Sequence, residues 1–322
     1  MKITVYDFDK TVYDGDSSID FYKYCLRRKP SILKYLPIQA YAALMYILGL
    51  WPKVKMKEKY FIFFKDIDNI DDWVRDFWKT HKQNLKEWYK KKDHSRDIII
   101  SASPEFLLKP ICKEIGVKAL IASRVDHLTG HFTGENCYGE EKVARLNQFV
   151  DDYEMEEFYS DSLSDTPLAL LAGHSYIVKK NALLDWRSYT PSGREKLLGH
   201  FKTRQFLMFL IVGCINTLNG IVFAYIFSLM LDDNVAYMVG YFCGLIISYL
   251  LNSTVTFKES LGVIRFIKYG ISYIPNFIIQ NLMVFLVMNI LGQPKLVAYV
   301  LAAIIGIPVT FLIMKLFAFQ KD

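Results

Sequence analysis

Two aspartates, Asp7 and Asp9, directly follow a short β-type run, Ile3 to Tyr6. Alternate residues at a strand end project to the same side, so both carboxylates can reach one phosphoryl group. One of them can attack as a nucleophile while the other transfers a proton. The spacing therefore predicts phosphoryl-transfer chemistry, provided that groups able to hold a phosphate and a metal ion follow.

A hydroxyl that suits a phosphate comes next. Ser101 ends a second buried-strand run, Ile98 to Ile100. The following Ser103-Pro104-Glu105 predicts the N-cap, the first-turn proline and the first-turn acid of a helix. Because anions bind at helix N-termini, Ser101 is predicted to hold a phosphate oxygen.

One cation and two more carboxylates complete the set. Lys142 begins a helical pattern in YGEEKVARL, and Asp161 and Asp165 flank the polar link in YSDSLSDT. Carboxylates, together with water and substrate oxygens, are ligands that Mg²⁺ prefers. Positive charge from the lysine and the metal would let an anionic nucleophile approach an anionic phosphate.

The order Asp-x-Asp-x-Thr, Ser, Lys and Asp-x-x-x-Asp resembles the four motifs of the haloacid dehalogenase (HAD) superfamily of phosphatases. This resemblance implies an α/β Rossmann-like domain that hydrolyses phosphomonoesters with Mg²⁺. It implies that Asp7 forms an aspartyl-phosphate and ligates the metal. Asp9 would act as acid and base, with its carbonyl oxygen on the metal. The remaining implied roles are loop orientation by Thr11, phosphoryl binding by Ser101 and Lys142, and metal binding by Asp161 and Asp165.

A second interpretation starts from Asp9-Lys10-Thr11, because DKT also appears in P-type ATPases, where its aspartate is the nucleophile. Here Val12-Tyr13 replace the Gly-Thr of that family, and Asp7 would have no role. Phosphatase chemistry therefore accounts for the sequence better.

About ninety residues with helical patterning separate the first motif from Ser101, which predicts an inserted cap over about residues 15–95. The arrangement resembles the phosphoserine-phosphatase-like branch, which has a small helical cap. At its start, Asp14 to Ser18 predicts a turn and a helix cap. Substrate contact by Asp16 or Ser17 is the alternative hypothesis.

One cap segment is unusually apolar. Tyr35 to Trp51 is uncharged, and lysines and arginines flank it on both sides. A single crossing of the bilayer there would separate Asp7 from Ser101. The segment is therefore interpreted as resting on or dipping into an anionic membrane surface, with a core helix of the cap as the alternative.

Composition divides the chain of 322 residues, in which 52% are hydrophobic and 22% charged. The charged part predicts the phosphatase domain, residues 1–190. A linker over 191–205 and a transmembrane domain over 206–322 follow. The five cysteines lack metal-ligand spacing, so no zinc site is expected. No nucleic-acid partner is predicted.

The second part predicts an all-α domain of four spans, because each of four uncharged runs is long enough to cross a bilayer. The runs are Phe206–Leu231, Val235–Phe257, Tyr269–Gln293 and Leu296–Met314. Basic residues cluster before the first run, between the second and third, and after the fourth. By the positive-inside rule both termini and the phosphatase domain are cytoplasmic, in agreement with the expected lack of a signal peptide.

Polar residues inside these runs mark helix faces that meet a partner or a cavity. Asn216 and Asn219 share one face of the first run, and Asn276 and Gln280 share one face of the third. Hydrogen bonding between helices is the simpler interpretation, and contact with a transported substrate is the other.

Residues 200–322 resemble the GtrA-like family of small four-span proteins, on FLIVGCINTLNGIVFAYIF and SYLLNSTVTFKES. Such proteins are associated with moving polyprenyl-phosphate-linked sugars across membranes. The combined resemblance implies a membrane phosphatase for a lipid-linked phosphosugar, whose membrane domain binds or flips the lipid. The alternatives are a soluble-metabolite phosphatase anchored by that domain, and a lipid-linked sugar transporter that the phosphatase domain regulates. Four spans are few for a transport path, so a homo-oligomer is a further hypothesis.

Overall fold

The computed structural model describes residues 1–201 and 203–320, and of Asp233 only the backbone. Lys202 and Lys321, which contribute to the predicted orientation, lie outside the described residues. The chain forms two compact units, and the second begins at Pro191.

A six-stranded sheet forms the centre of the first unit, in the order β3-β2-β1-β4-β5-β6. All neighbouring strands are parallel except β5 and β6. The strands are β1 Lys2–Tyr6, β2 Asp97–Pro104, β3 Ala119–Ser123, β4 Glu154–Ser160, β5 His174–Lys179 and β6 Ala182–Asp185. This is the predicted Rossmann-like α/β fold.

Helices pack against both faces of the sheet, and alternate side chains of each strand point to opposite faces. Tyr6 and Ile99 pack into a core shared with the cap helices. Val5 and Ile98 pack into a second core on the other face. Strands covered on both faces read as continuous apolar runs, which explains why the run at Ile98–Ile100 was readable from the sequence.

Helices account for the rest of the first unit. Between β1 and β2 they are α1 Ser17–Arg28, α2 Leu36–Leu48, α3 Lys53–Tyr60, α4 Ile70–His81 and α5 Glu87–Lys90. Short 3₁₀ segments at Pro30–Tyr35, Phe61–Asp66 and Lys82–Asn84 connect them. After β2 come α6 Glu105–Ile115, α7 Glu140–Phe149 and α8 Thr166–Ala169. The five helices before β2 fall within the predicted cap.

The second unit is helical. Its helices are α9 Gly193–Phe201, α10 Arg204–Ser228, α11 Asp233–Leu251, α12 Val263–Ile271, α13 Tyr273–Phe285 and α14 Lys295–Ile313. Wider π-helical turns, at Asn252–Phe257, Leu286–Ile290 and Met314–Ala318, follow α11, α13 and α14. The predicted linker therefore contains a helix, α9.

Four helical stretches of this unit are long and apolar enough to cross a membrane, and Pro30–Leu48 in the cap is a fifth candidate. The third stretch starts at Val263 instead of Tyr269, so Arg265 lies in a helix and not in the predicted loop. The break between α12 and α13 falls just before Pro275, whose missing N–H cannot bond the carbonyl of Ile271.

Candidate active site

Parallel strands bring the predicted groups to one edge of the sheet. Strand β1 ends directly before Asp7, and β4 ends directly before Asp161. Tyr6 is in register with Ile99 of β2 and Tyr159 of β4. A pocket of about 450 Å³ lies at this edge. The predicted catalytic and metal-binding residues that line it are Asp7, Asp9, Ser101, Lys142, Asp161 and Asp165.

Lys142 bridges two of the predicted carboxylates. It lies in the first turn of α7 and is buried, with 2% of its surface exposed. Its Nζ donates one hydrogen bond to Asp7 Oδ1 and one to Asp165 Oδ2, each of 2.7 Å. Two buried anions facing one buried cation leave an excess of negative charge at this point, and the pocket therefore favours binding of a further cation.

Thr11 lies behind this bridge and is fully buried. Its hydroxyl accepts a hydrogen bond of 2.9 Å from the backbone N–H of Asp161 and lies 3.4 Å from Asp7 Oδ2. Thr11 thus connects the segment after β1 to the segment after β4. The contacts are compatible with the loop-orienting role that the family resemblance implies, which stays a prediction.

Asp9 is held by a different set of donors. Its Oδ1 accepts a 2.6 Å bond from the backbone N–H of Ser17, and its Oδ2 accepts a 2.6 Å bond from the Ser103 hydroxyl. The Ser17 hydroxyl in turn donates to Ser103 Oγ at 3.1 Å. Separate anchoring gives Asp7 and Asp9 different environments, which is what two carboxylates with different tasks require.

The local prediction around Ser101 needs correction. Strand β2 extends through Pro104, and α6 begins at Glu105 without a side-chain cap. Ser103 is therefore not a helix N-cap, because its hydroxyl is bound to Asp9. The Ser101 hydroxyl lines the pocket and accepts a 3.1 Å bond from the backbone N–H of Ser103.

Burial and charge set the protonation of these groups. Burial raises the pKa of Asp7 to about 7, because it outweighs the attraction of Lys142. Desolvation by the surrounding protein raises the pKa of Asp9 to about 6, with the nearby Asp16 contributing, although Asp9 keeps some contact with the pocket. Burial alone would lower the pKa of Lys142, but Asp7 and Asp165 hold it above its ordinary value, so the lysine stays cationic.

The donor set fits Mg²⁺. Across residues 1–201 and 203–320, no three His, Cys, Asp or Glu side chains form a ready metal cluster. However, Asp165 Oδ1 is buried without a hydrogen-bond partner, and an unpaired buried carboxylate oxygen is costly. Mg²⁺ binds through one or two carboxylates plus waters and substrate phosphate oxygens. Asp7 and Asp165, with the Asp9 carbonyl and Asp161, are the residues that would hold it.

Two pocket residues were missed by the sequence reasoning. Ser103 was interpreted only as a helix cap. Lys57 of α3 was read only as part of a basic flank, yet its Nζ donates to the Ala102 carbonyl at 2.9 Å and to Asn136 Oδ1 at 2.7 Å. Burial lowers the pKa of Lys57 to about 8. No signal in a lysine-rich stretch distinguishes the one lysine that turns inward.

The two candidate substrate residues of the cap, Asp16 and Ser17, have different surroundings. Asp16 lines the pocket while its carboxylate accepts a 3.1 Å bond from the backbone N–H of Ile19, so it also caps α1 as predicted. Ser17 is buried and holds Asp9 and Ser103, and its neighbour Ser18 lines the pocket instead. The hypothesis of substrate contact is therefore carried by Asp16 and not by Ser17.

The four polar residues of the membrane unit lie within its helices. Asn216 Nδ2 donates a 2.6 Å bond to Ser248 Oγ of α11, as expected for bonding between helices. Asn219 is half-buried one turn further along α10. Asn276 and Gln280 of α13 face Gly306 of α14, where a Cβ would lie 2.5 Å from Asn276 Oδ1.

An α/β fold with this edge-of-sheet site defines a hydrolase of the phosphoryl-transfer type. Residues 4–170, more than half of the chain, match the haloacid dehalogenase-like hydrolase family, and the chain belongs to it. Residues 208–319 match the transmembrane domain of the GtrA/DPMS family. The family prediction is thus confirmed for both parts of the chain.

Individual relatives cover only part of this chain. In an alignment of 100 residues it is 30% identical to the histidinol-phosphatase of Neisseria meningitidis serogroup C (strain 8013), and the match covers 27% of this chain and 45% of the relative. It is 31% identical to protein CicA of Caulobacter vibrioides (strain NA1000 / CB15N) over 81 residues, 23% of this chain and 36% of CicA. The chain thus spans less than half the length of these curated relatives.

Solved structures align with about half of the chain. A protein of unknown function from Bordetella pertussis Tohama I is 20% identical, with a TM-score of 0.47 over 55% of this chain and 89% of that protein. A phosphoserine phosphatase with a phospho-aspartyl intermediate analogue is 19% identical, with a TM-score of 0.34 over 55% of this chain and 85% of that one.

Proposed function

We propose that the protein is a Mg²⁺-dependent phosphatase that acts on a lipid-linked phosphomonoester at the cytoplasmic face of a membrane. The observation that carries the phosphatase chemistry is the arrangement of Asp7, which lies 2.7 Å from Lys142, beside the separately anchored Asp9 in one pocket. A nucleophile, a proton carrier and a cation are thereby within reach of one phosphoryl group.

In the proposed reaction, Asp7 attacks the phosphorus and forms an aspartyl-phosphate. The bond to the leaving oxygen breaks, and Asp9 gives its proton to that oxygen. Asp9 then takes a proton from a water molecule that attacks the phosphorus, which releases phosphate and restores Asp7. A pKa of about 6 suits Asp9 for both proton transfers near neutral pH.

The other residues stabilise charge. Lys142 and the Ser101 hydroxyl would hold oxygens of the transferring phosphoryl group. Mg²⁺ bound by Asp7, Asp161, Asp165 and the Asp9 carbonyl would neutralise charge that develops on the phosphoryl oxygens. Lys57 reaches the pocket from the cap and is placed to attract the anionic substrate.

Support for a lipid-linked substrate comes from the second unit. Its family match is to a domain type associated with polyprenyl-phosphate-linked sugars. Its helices also enclose polar groups: the hydroxyls of Ser248, Tyr269 and Tyr273 interact with each other, and Tyr269 binds Asn252 at 3.0 Å.

The helices of the second unit also contain polar atoms that make no hydrogen bond to any described residue. The side-chain oxygens of Asn216, Asn252 and Asn276 are buried without a hydrogen-bond partner. Such atoms are costly within a membrane unless a polar ligand or another chain satisfies them. We propose that they contact the polar head of the lipid, with Asn219 and Gln280 beside them. A homo-oligomer that satisfies them is part of the same proposal.

The test is phosphate release by the detergent-purified full chain, with Asp7→Asn as the inactive control. The substrates are a polyprenyl-linked phosphosugar, soluble sugar phosphates and histidinol phosphate, and EDTA removes Mg²⁺. Faster release from the lipid, lost in Asp7→Asn and in EDTA, supports the proposal. Activity on soluble phosphates alone would refute the lipid substrate.

A second candidate function is hydrolysis of a soluble phosphomonoester by an enzyme that the membrane unit anchors. The relative named histidinol-phosphatase favours it. A third is lipid transport that the phosphatase unit regulates. Lipid movement in proteoliposomes that persists in Asp7→Asn would favour transport as the main activity.

Orientation is proposed from the basic residues at the helix ends, with both termini in the cytoplasm. A cysteine introduced at Ser192, before α9, should react with an impermeant maleimide in inverted vesicles only. Reaction from the outside of intact cells would reverse the orientation.

A further inference from the structure

A helical hairpin of the cap, which we call the cap hairpin, carries several exposed apolar side chains close together in the sequence. It consists of α2, a tip of residues 49–52, and α3. Of the thirteen residues of α2, only Ala42 is buried. Its exposed apolar side chains, with that of the tip, are Leu36, Tyr41, Leu44, Tyr46 and Leu50. A helix buried in the cap core, one of the sequence interpretations, is therefore wrong.

The base of the cap hairpin is fixed to the cap. Ile32, just before it, is fully buried. Tyr35 Oη donates to Asp66 Oδ1 at 2.9 Å, and Gln39 Nε2 donates to the Tyr60 carbonyl at 2.9 Å. The exposed part of α2 thus projects from a rigid base, and the chain returns through α3 to the same unit.

The tip is well formed although it is exposed. Gly49 ends α2 in the left-handed region at φ 78°, and the backbone N–H groups of Leu50 and Trp51 bond the Met45 carbonyl at 3.0 and 3.2 Å. Trp51 packs edge-on against Tyr41 at 5.6 Å, and Lys55 Nζ lies 4.2 Å from the Trp51 ring. Leu50 lies at the tip of the cap hairpin, and 67% of its surface is exposed.

A crossing is excluded because the first part of the candidate span is fixed to the cap, with Ile32 buried and Tyr35 bonded to Asp66. Only α2 projects from this base, and its thirteen residues span about 20 Å, less than the about 30 Å of a bilayer core. Both arms also belong to the unit that holds Asp7 and Ser101 in one pocket. The fifth candidate span, Pro30–Leu48, therefore enters a membrane surface at most with its exposed end.

Charge identifies the kind of surface. Between Asp20 and Glu58 the chain has eight basic residues and no acidic one. Three of them pair with carboxylates: Lys23 with Asp20, Arg28 with Asp76 and Lys34 with Asp66. In the described part of the chain, the other five have no carboxylate partner. They are Arg27, Lys29, Lys53, Lys55 and Lys57. Lys57 turns into the catalytic pocket, so Lys53 and Lys55 are the lysines of α3 that remain beside the apolar tip. Apolar and aromatic residues next to such lysines match an anionic lipid surface.

We propose that the cap hairpin docks its exposed tip into the headgroup layer of an anionic membrane. The four apolar helical stretches of the second unit anchor the same chain to a membrane. Docking would have a direct consequence for catalysis, because Lys53, Met56, Lys57 and Tyr60 of α3 line the catalytic pocket. One arm of the docked hairpin is therefore a wall of the site, which brings the pocket to the lipid surface.

The test places a fluorescent label at the tip of the full-length protein. Leu50→Cys is labelled in a background with Cys214 and Cys243 replaced by serine, because the three other cysteines are buried. The matched control is Leu170→Cys, which is 74% exposed in the same unit but not in the cap hairpin. Both proteins are reconstituted in vesicles of phosphatidylcholine and phosphatidylglycerol that carry a headgroup-proximal nitroxide lipid.

We expect quenching of the label at position 50 to be at least about twice that at position 170, because a docked segment lies about 5–10 Å deep. Quenching should fall in pure phosphatidylcholine. Equal quenching at both positions would overturn the proposal, and so would quenching that ignores lipid charge. A label that is shielded but not quenched would show that a protein covers the tip, which also overturns it.

Activity gives a second readout. Leu50→Glu should slow phosphate release from a substrate in the bilayer while leaving p-nitrophenyl phosphate hydrolysis unchanged. If Leu50→Glu reduces neither activity, docking has no role in catalysis. The quenching measurement needs no substrate and should be the same in Asp7→Asn, so failure of docking and failure of the proposed phosphatase function can be told apart.

Discussion

The hydrogen bond from Ser103 to Asp9 offers the sharpest test of the catalytic geometry. Among the described residues, the backbone N–H of Ser17 and the Ser103 hydroxyl each bind the Asp9 carboxylate at 2.6 Å. Ser103→Ala removes one of them and leaves the nucleophile, Lys142 and the predicted metal ligands in place. Ser103 is thus a positioning residue, and its loss should change how Asp9 handles protons more than how substrate binds.

The size of the effect follows from the kind of bond. A hydrogen bond to a charged group contributes about 1.5–3 kcal/mol, which corresponds to about 10- to 150-fold in rate. The bond favours the ionised form and so lowers the pKa of Asp9. Its removal should raise that pKa above about 6. A rise of one unit would account for about 1.4 kcal/mol of the lost interaction.

The assay is the pH profile of kcat for p-nitrophenyl phosphate, whose good leaving group needs little help from an acid. Turnover then depends on Asp9 as the ionised base that activates water. In Ser103→Ala we expect the acidic limb to move to higher pH by about one unit. The value of kcat should then fall about threefold at pH 6.5 and about tenfold at pH 5, while KM should stay within about twofold.

Ser18→Ala is the matched control, because the Ser18 hydroxyl contacts Ser103 Oγ at 2.9 Å but does not touch Asp9. Ser103→Thr keeps the hydroxyl and should retain most activity. An unmoved acidic limb in Ser103→Ala would refute the reasoning. An equal shift in Ser18→Ala would show that the serine cluster as a whole, and not the bond to Asp9, sets the pKa.

Three further predictions concern the cap, the ion bridge and one loop. With p-nitrophenyl phosphate as substrate, the KM of the wild type should rise as the pH passes about 8, because Lys57 loses its charge there. Lys57→Met should have a high KM without this dependence on pH. Lys55→Met, on the exposed side of α3, should behave as wild type with this soluble substrate. Lys142→Met leaves two buried carboxylates without a cation and should cost about 3–5 kcal/mol of stability without metal; added Mg²⁺ should raise its Tm more than that of the wild type. The control Lys79→Met breaks an exposed pair with Asp76 and should cost under about 1 kcal/mol. An equal Tm in the two variants would contradict the stabilising role of the Lys142 bridge. In Gly130→Ala, at φ +76°, the new Cβ lies 2.6 Å from the Phe61 carbonyl oxygen, whereas in Gly116→Ala, at φ +84°, it meets no atom within 4 Å. We expect Gly116→Ala to cost about 1–2 kcal/mol of stability and Gly130→Ala distinctly more, measured by thermal inactivation. Equal losses in the two variants would show that the loop around Gly130 shifts to accommodate the methyl group.

Local patterns were enough to predict the main features of the chain. The carboxylates after β1 and β4, the serine of β2 and the lysine of α7 are readable because chemistry demands those residue types at element ends. The apolar stretches of the second unit are readable because a bilayer requires long uncharged helices. The family matches confirm the two kinds of domain, a haloacid dehalogenase-like hydrolase and a GtrA/DPMS transmembrane domain, while the roles of the individual site residues stay predictions.

Contacts between distant segments decided the rest. Ser103 binds Asp9 across 94 positions of sequence, and Lys57 reaches Asn136 across 79; no periodicity encodes such pairs. The helix within the linker and the first turns of α12 contain charged residues, so a search for uncharged runs did not find them. The exposure of α2 is also a tertiary fact, because a uniformly apolar helix reads the same whether it is buried or faces a membrane. The sequence determined which groups are available, and the fold determined which of them turn inward, since burial and hydrogen bonding depend on neighbours far apart in the chain.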